Sequence, residues 1–260
     1  MKLTADYHTH TKYSHGKGTV YDNAKVAHSA GLIEVGISDH GFSHPAFGLR
    51  KRDVKKFSTD CELASNQFGV NVLRGIESNI VDDKGKCDLP TKLYDNFDIF
   101  LAGMHKFVVY RGVNFFNLFL PNFTTDLFNA KPAKWVVKET TKAYINTIKN
   151  SPIDVLTHLN FCCYADAKEV AKACADYGVY LELNAKKRHL SNVDIDAVLS
   201  TDVKFVISSD AHTPSRVGEI SLVETLIKDN DFPIDRIFNV DGRTPSFRFS
   251  AFKNGTTSNY

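Results

Sequence analysis

The sequence predicts an α/β chain folded as one (β/α) barrel of about seven units. Three observations predict it. Short apolar runs of strand type alternate with longer amphipathic runs of helix type along the chain. The strand runs are apolar nearly throughout, as in a parallel sheet covered by helices. Histidines and acids recur at one phase of that repeat, the C-terminal end of each strand run. An open doubly wound sheet competes, because element order alone cannot separate the two. No Gly-rich dinucleotide fingerprint follows the first strand, which weakens the nucleotide-binding form of that alternative.

The elements follow in order. "LTADYHTH" reads as a strand, and "TVYDNAKVAHSAG" as a helix closing on Gly31. "IEVGISDH" is a second strand, and "RDVKKFSTDCELASNQFG" a helix ending at Gly69. "VNVLRGIES" and "IFLAGMH" are the third and fourth strands, joined through the short "LYDNFD". "PAKWVVKETTKAYINTIKN" is a helix with Pro132 near its start. "IDVLTH", "VYLELN" and "VKFVISSD" are the last three strands. The helices "AKEVAKACADYG", "NVDIDAVLS" and "EISLVETLIKDN" follow them in turn. Two stretches break the rhythm. Residues 105–131 are aromatic-rich, aperiodic and too long for a simple connection, so they are read as a lid, an interface or a packed insertion. Residues 252–260 are polar and expected to fray.

Composition narrows the function. A chain of 260 residues, 43% hydrophobic, can bury a substantial core as a single domain spanning residues 1–260. A net charge of +2 excludes nucleic-acid binding driven by bulk charge. No apolar run is long enough for a span, and residues 1–18 lack the apolar core of a signal peptide. The five cysteines include no CxxC pair, so reduced thiols in a cytoplasmic protein are expected, with no membrane partner.

The polar residues at the strand ends carry the chemistry. They are His8 and His10, with His15 just beyond; Asp39 and His40; Glu77; His105; His158; and Asp210 with His212. The sixth strand offers only Asn184. In a barrel all these ends meet at one rim, where active sites are built. His8 and His10, two apart on a strand, face the same way. Neutral imidazoles with a few carboxylates make a divalent-metal environment, and nine such groups suit two or three ions. Zinc is the first expectation, with manganese or iron as alternatives. Several ions together suggest hydrolysis. His28, His44 and His189 lie off this pattern and are assigned to packing or surface.

"DYHTHTKYSHGKG", "ISDHG", "GIES", "AGMH", "LTHLN" and "SSDAHT" resemble the motifs of the PHP (polymerase and histidinol phosphatase) superfamily, from Asp6 to about Gly218. The resemblance is closest to the small stand-alone PHP phosphatases. It implies a distorted (β/α)7 TIM-like barrel and a two- or three-metal phosphoesterase. It also implies a ligand set. His8, His10, Glu77 and Asp210 would hold one ion. Glu77, His105 and His158 would hold a second, and His15, His40 and His212 a third. The implied reaction is attack of a metal-bridging hydroxide on the phosphorus of a small phosphomonoester. Histidinol phosphate is an alternative substrate. A nuclease or phosphodiesterase, an amidohydrolase and a non-enzymatic metal-binding protein are the competing classes.

Glu77 and Asp210 are therefore the candidate catalytic acids, with Asp39 as a residue that orients a ligand or shuttles a proton. Ser38 and Ser209 are read as supporting residues. Phosphate also needs donors beyond the metals. Lys17 and Arg216 are the first candidates, ahead of Arg50, Lys106 and Arg188.

Overall fold

Seven parallel strands follow one another around the sheet in sequence order in the computed structural model, which describes residues 1–106, 108–110 and 112–255. They are β1 (Ala5–Thr9), β2 (Glu34–His40), β3 (Asn71–Asn79), β4 (Ile99–Gly103), β5 (Val155–Leu156), β6 (Tyr180–Asn184) and β7 (Phe205–Ser208). A bridge from Thr9 to Ala211, with the His10 N–H donating to the Ala211 carbonyl at 2.8 Å, brings the last strand back beside the first. The barrel is thus nearly closed. On the other side of the gap, Asn239 donates to the carbonyls of Ala5 and Ile207 and accepts the Ile207 N–H. One buried amide thereby stitches β1 to β7.

The helices occupy the predicted places for sequence reasons. In α1 (Val20–Ser29), Thr19 and Asp22 form a reciprocal capping box, an interaction worth about 1 kcal/mol. The helices α2 (Val54–Phe68) and α5 (Ala167–Tyr177) each end on a left-handed glycine, Gly69 and Gly178. Ahead of α4 (Lys134–Asn150), the insertion forms a π-turn at Phe115–Phe119 running into α3 (Leu120–Leu127). Residues 107 and 111 of that segment lie outside the described residues. The helices α6 (Asn192–Leu199) and α7 (Ser221–Asp229) complete the ring.

Two expectations change. "IDVLTH" forms only two strand residues, because His158 turns to a left-handed φ of 28° and ends the ladder early. The polar tail does not fray at its start: Phe252 and Lys253 close α8 (Arg248–Lys253), anchored by buried Phe249 and by Lys253 donating to the Phe97 carbonyl. Residues 256–260 lie outside the described residues.

The barrel interior is layered. Ala5, Tyr7, Ile99, Leu101, Val155, Tyr180 and Val206 pack into an apolar floor. Above it, toward the C-terminal strand ends, the inward side chains become polar. A larger apolar shell between sheet and helices surrounds both layers.

Candidate metal centre

The first two imidazoles reach the interior through an irregularity in β1. The β1–β2 register shifts by one residue between Asp6 and Thr9. Before the shift, Ala5 and Tyr7 join the apolar floor. After it, His8 and His10 take over the inward face, as a bulge re-aims side chains in a period-two strand. The displaced Asp6 is buried away from the cluster. It accepts the Ser209 N–H at 3.1 Å and the Gly218 N–H at 2.9 Å, tying β1 to the segment after β7.

All nine side chains selected from the sequence converge, with Glu77 at the centre. His158 Nε2 lies 2.6 Å and His105 Nε2 3.0 Å from Glu77 Oε1. His8 Nε2 is 3.3 Å from the same oxygen. On the other oxygen, His40 Nδ1 is at 2.8 Å and His10 Nε2 at 3.6 Å. Asp210 Oδ1 lies 3.3 Å from His10 Nε2 and 3.2 Å from His212 Nδ1. The His15 ring stacks on His40 at 4.9 Å and meets His212 at 4.2 Å. Three triads bring their ligand atoms within 4.8 Å of one another: His8, His10 and Asp210; His40, Glu77 and His105; and His10, His40 and His212. His40 therefore sits between two groups, rather than only with His15 and His212 as the resemblance implied.

The donor set fits divalent cations. Buried polar atoms normally find hydrogen-bond partners. Here His10 Nδ1, His105 Nδ1 and His158 Nδ1 are buried without one, and His40 Nδ1 and Glu77 Oε2, though 2.8 Å apart, are not aligned for a hydrogen bond. Imidazole nitrogens and carboxylate oxygens are the ligands of zinc and of manganese or iron. The electrostatics agree. Burial would raise the Glu77 pKa, but His105, His8, His40 and His158 hold the carboxyl well below its usual range. Asp210, buried beside His8 and His10, is likewise held well below. Burial pushes His40 down to about 3 and His15 to about 4. His8 and His158 go the other way. Burial opposes their charge, but Glu77 and the neighbouring acids carry both above the ordinary histidine value.

That contrast sets a sign. In the metal-free protein the neighbouring carboxylates favour the protonated form of His8 and His158, whereas a metal ion takes only the neutral imidazole. Zinc binding to stripped protein is therefore expected to release protons, and zinc affinity to fall as pH is lowered. Calorimetry in two buffers of different ionisation enthalpy measures this. Zero net proton release contradicts it.

Backbone geometry is spent on the ligands. His158 and Asp210 hold φ values of 28° and 48°, costly for non-glycine residues and typical of functional sites. Gly103 leaves room for the His158 ring: a Cβ there would lie 2.3 Å from Thr157 Oγ1 and 2.8 Å from His158 Cε1.

The sequence reading missed two residues. Glu182, buried within β6, accepts from His8 Nδ1 at 2.7 Å and from the His158 N–H at 2.8 Å. Lys186 lies on the rim, with Nζ 3.3 Å from Asp210 Oδ1 and 3.0 Å from His212 Nδ1. A lone acid in an otherwise apolar strand was the available signal for Glu182; nothing marked Lys186.

Other expected residues are placed differently. Asp39 turns away from the cluster and accepts the Thr11 N–H at 2.7 Å and the Thr11 hydroxyl at 2.6 Å. It fixes the loop carrying His15, a ligand-orienting position. Ser38 donates to the Tyr7 carbonyl, and Ser209 to Asp6. Lys17 is exposed, its N–H donating to the His212 carbonyl. Arg216 pairs with Glu219 at 2.8 Å and also reaches the Ala185 carbonyl. Lys106 is paired with Asp126, and Arg188 is engaged by Leu190 and Asn192. Arg50 is exposed. His44 and His189 are not simple surface residues. His44 is half-buried 5.9 Å from the His40 ring, and His189 packs against His158 and Phe161.

Comparison with known proteins gives consistent results. The PHP domain family model matches residues 6–186. A "Probable phosphatase" of Thermoanaerobacter sp. (strain X514) is 30% identical over 251 residues, covering 93% of this chain and 92% of the relative. Another from Shewanella loihica is 31% identical, covering 92% and 90%. Among solved structures, the histidinol phosphate phosphatase of Lactococcus lactis, complexed with Zn, L-histidinol and phosphate, superposes with a TM-score of 0.61. It is 17% identical and is covered over 95% of its length, against 89% of this chain. At that identity the likeness shows the fold.

Proposed function

This chain belongs to the PHP family, and on that premise we propose that it is a metal-dependent phosphatase hydrolysing a small phosphomonoester. The observation that carries this reading is the convergence of five imidazoles on the buried carboxylate of Glu77, with Asp210 beside them. His8, His10, Glu77 and Asp210 would hold one ion; Glu77, His105 and His158 a second; His15, His40 and His212 a third. Divalent ions held there supply electrophilic stabilisation of phosphoryl oxygens and a strong oxygen nucleophile at neutral pH. Zinc is the first candidate, and manganese or iron are the alternatives.

The chain's own residues do the rest. Glu77, shared between ligand groups, fixes their separation. The apolar floor keeps water out from below. The ammonium of Lys186 at the rim, beside Asp210 and His212, is placed to take a phosphoryl oxygen, with Lys17 and Arg216 further out. A charge-assisted bond of this kind is worth about 1.5–3 kcal/mol. Lys186→Ala is therefore expected to raise KM about tenfold or more, with bound zinc unchanged. Loss of zinc instead would make Lys186 part of the metal site. All described cysteines are free, which fits a reducing, cytoplasmic setting.

The test is a panel of phosphoesters assayed with stripped protein reconstituted with zinc, manganese or iron. Hydrolysis of small monoesters, histidinol phosphate among them, is the expected result. Turnover confined to phosphodiesters or nucleic acid, or unaffected by chelation, would overturn the reading.

A further inference from the structure

The insertion between β4 and α4 carries an apolar surface that neither the fold nor the reaction uses. Val113 is 68% exposed, Phe116 63%, Leu127 61%, Phe128 74% and Trp135 51%. Single exposed apolar residues need no explanation, but so many concentrated in one segment do. Leu120 and Leu127, seven apart on α3, share one side of that helix, and Val113 and Phe116 are exposed just ahead of it. The opposite side is used internally. Leu118 and Asn122 are buried, and Phe119 stacks on Phe123 at 5.4 Å. The segment is therefore already folded, with its outward stripe left over.

The unpaired charges around the stripe are basic. Of the acids there, Asp126 is spent on Lys106 and Glu139 on Lys142. Lys131, Lys134 and Lys138 are exposed, and no ion pair is found for them among the described residues. Lys134 and Lys138 flank Trp135 on the first turns of α4, where i and i+4 positions share a face.

We propose that this surface docks the protein onto an anionic lipid bilayer, with the stripe in the headgroup boundary and the lysines on the phosphates. An amphipathic segment with Phe, Leu and Trp on one side and lysines beside them is the pattern of interfacial binding. No helix among the described residues is long and apolar enough to cross a membrane, so the contact lies on the surface. The sequence reading excluded a membrane partner for want of a span, and surface docking needs none. Pairing with a second copy through the same face would bring two sets of unpaired lysines together, whereas an anionic bilayer complements them. The proposal does not depend on the reaction assigned above.

The test is co-sedimentation of the metal-loaded full chain with vesicles. Binding is expected to vesicles of mixed phosphatidylglycerol and phosphatidylcholine, and not to phosphatidylcholine alone. It should be released by roughly 1 M salt, where the screening length is about 3 Å. Phe116→Asp combined with Phe128→Asp should abolish sedimentation. Lys134→Glu combined with Lys138→Glu should lower partitioning about tenfold or more. Both variants should keep normal circular dichroism and normal turnover of a soluble phosphomonoester. Three outcomes would overturn the proposal: no binding to anionic vesicles, equal binding to neutral ones, or self-association in solution that the Phe variants disrupt. Loss of soluble turnover in the folded Phe variants would instead make the segment a lid and also overturn it.

Discussion

Glu77→Gln is expected to lose about a thousandfold in phosphomonoester turnover, together with most of its bound metal. The size of the effect follows from the geometry. Both carboxylate oxygens are in use, with His8, His105 and His158 on one and His40 and His10 on the other. A carboxamide keeps the volume but removes the charge and replaces one acceptor by a donor. That donor would point at imidazole nitrogens needed for metal. The charge also holds the protons on His8 and His158 in the metal-free protein. Glu182 and Asp210 still face both imidazoles, so the variant leaves no unpaired buried cation and should stay folded. Metal content by elemental analysis and turnover under saturating zinc read the two losses separately. Turnover within a factor of a few of the parent would show that Glu77 is not at the centre of the chemistry.

Glu182→Gln is expected to weaken metal binding by about 10–100-fold while leaving the barrel intact. Glu182 touches no proposed metal position. It receives His8 Nδ1 at 2.7 Å, which leaves His8 Nε2 facing Glu77 and His10. Its second oxygen takes the His158 N–H, holding the strained turn that aims that ring. One buried carboxylate thus sets a tautomer and a backbone angle for two different ligands. Competition with a chelator of known affinity measures the loss, and the His8 ring signals in NMR report the tautomer. Unchanged affinity with an unchanged tautomer would reduce Glu182 to a packing residue.

Much of this was legible from the sequence. The repeat of strand and helix gave a parallel sheet covered by helices, because strands buried on both faces must be apolar throughout, and it left an open sheet in competition with the barrel. The rim residues stood out because each was the polar end of such a run. Glu182 was hidden by the same logic. It lies inside "VYLELN", two residues before the strand end at Asn184, and was passed over as strand interior. Lys186 lies in a loop, where a lysine is ordinarily solvated surface. Asp39 illustrates the reverse error. It alternates with His40 on β2, so when one faces the interior the other must face away. The bulge in β1 could not be read at all. His8 and His10 looked inward from the start, whereas their phase is set by a one-residue slip against β2. The insertion defied period analysis because a π-turn interrupts it before α3.

Metal content per chain, measured alongside anomalous diffraction from crystals of the protein grown with zinc, tests the central claim most directly. The account predicts two or three ions per chain, lying among His8, His10, His15, His40, Glu77, His105, His158, Asp210 and His212. Protein that remains fully active with less than one ion per chain, or ions bound elsewhere with this cluster bare, would contradict it.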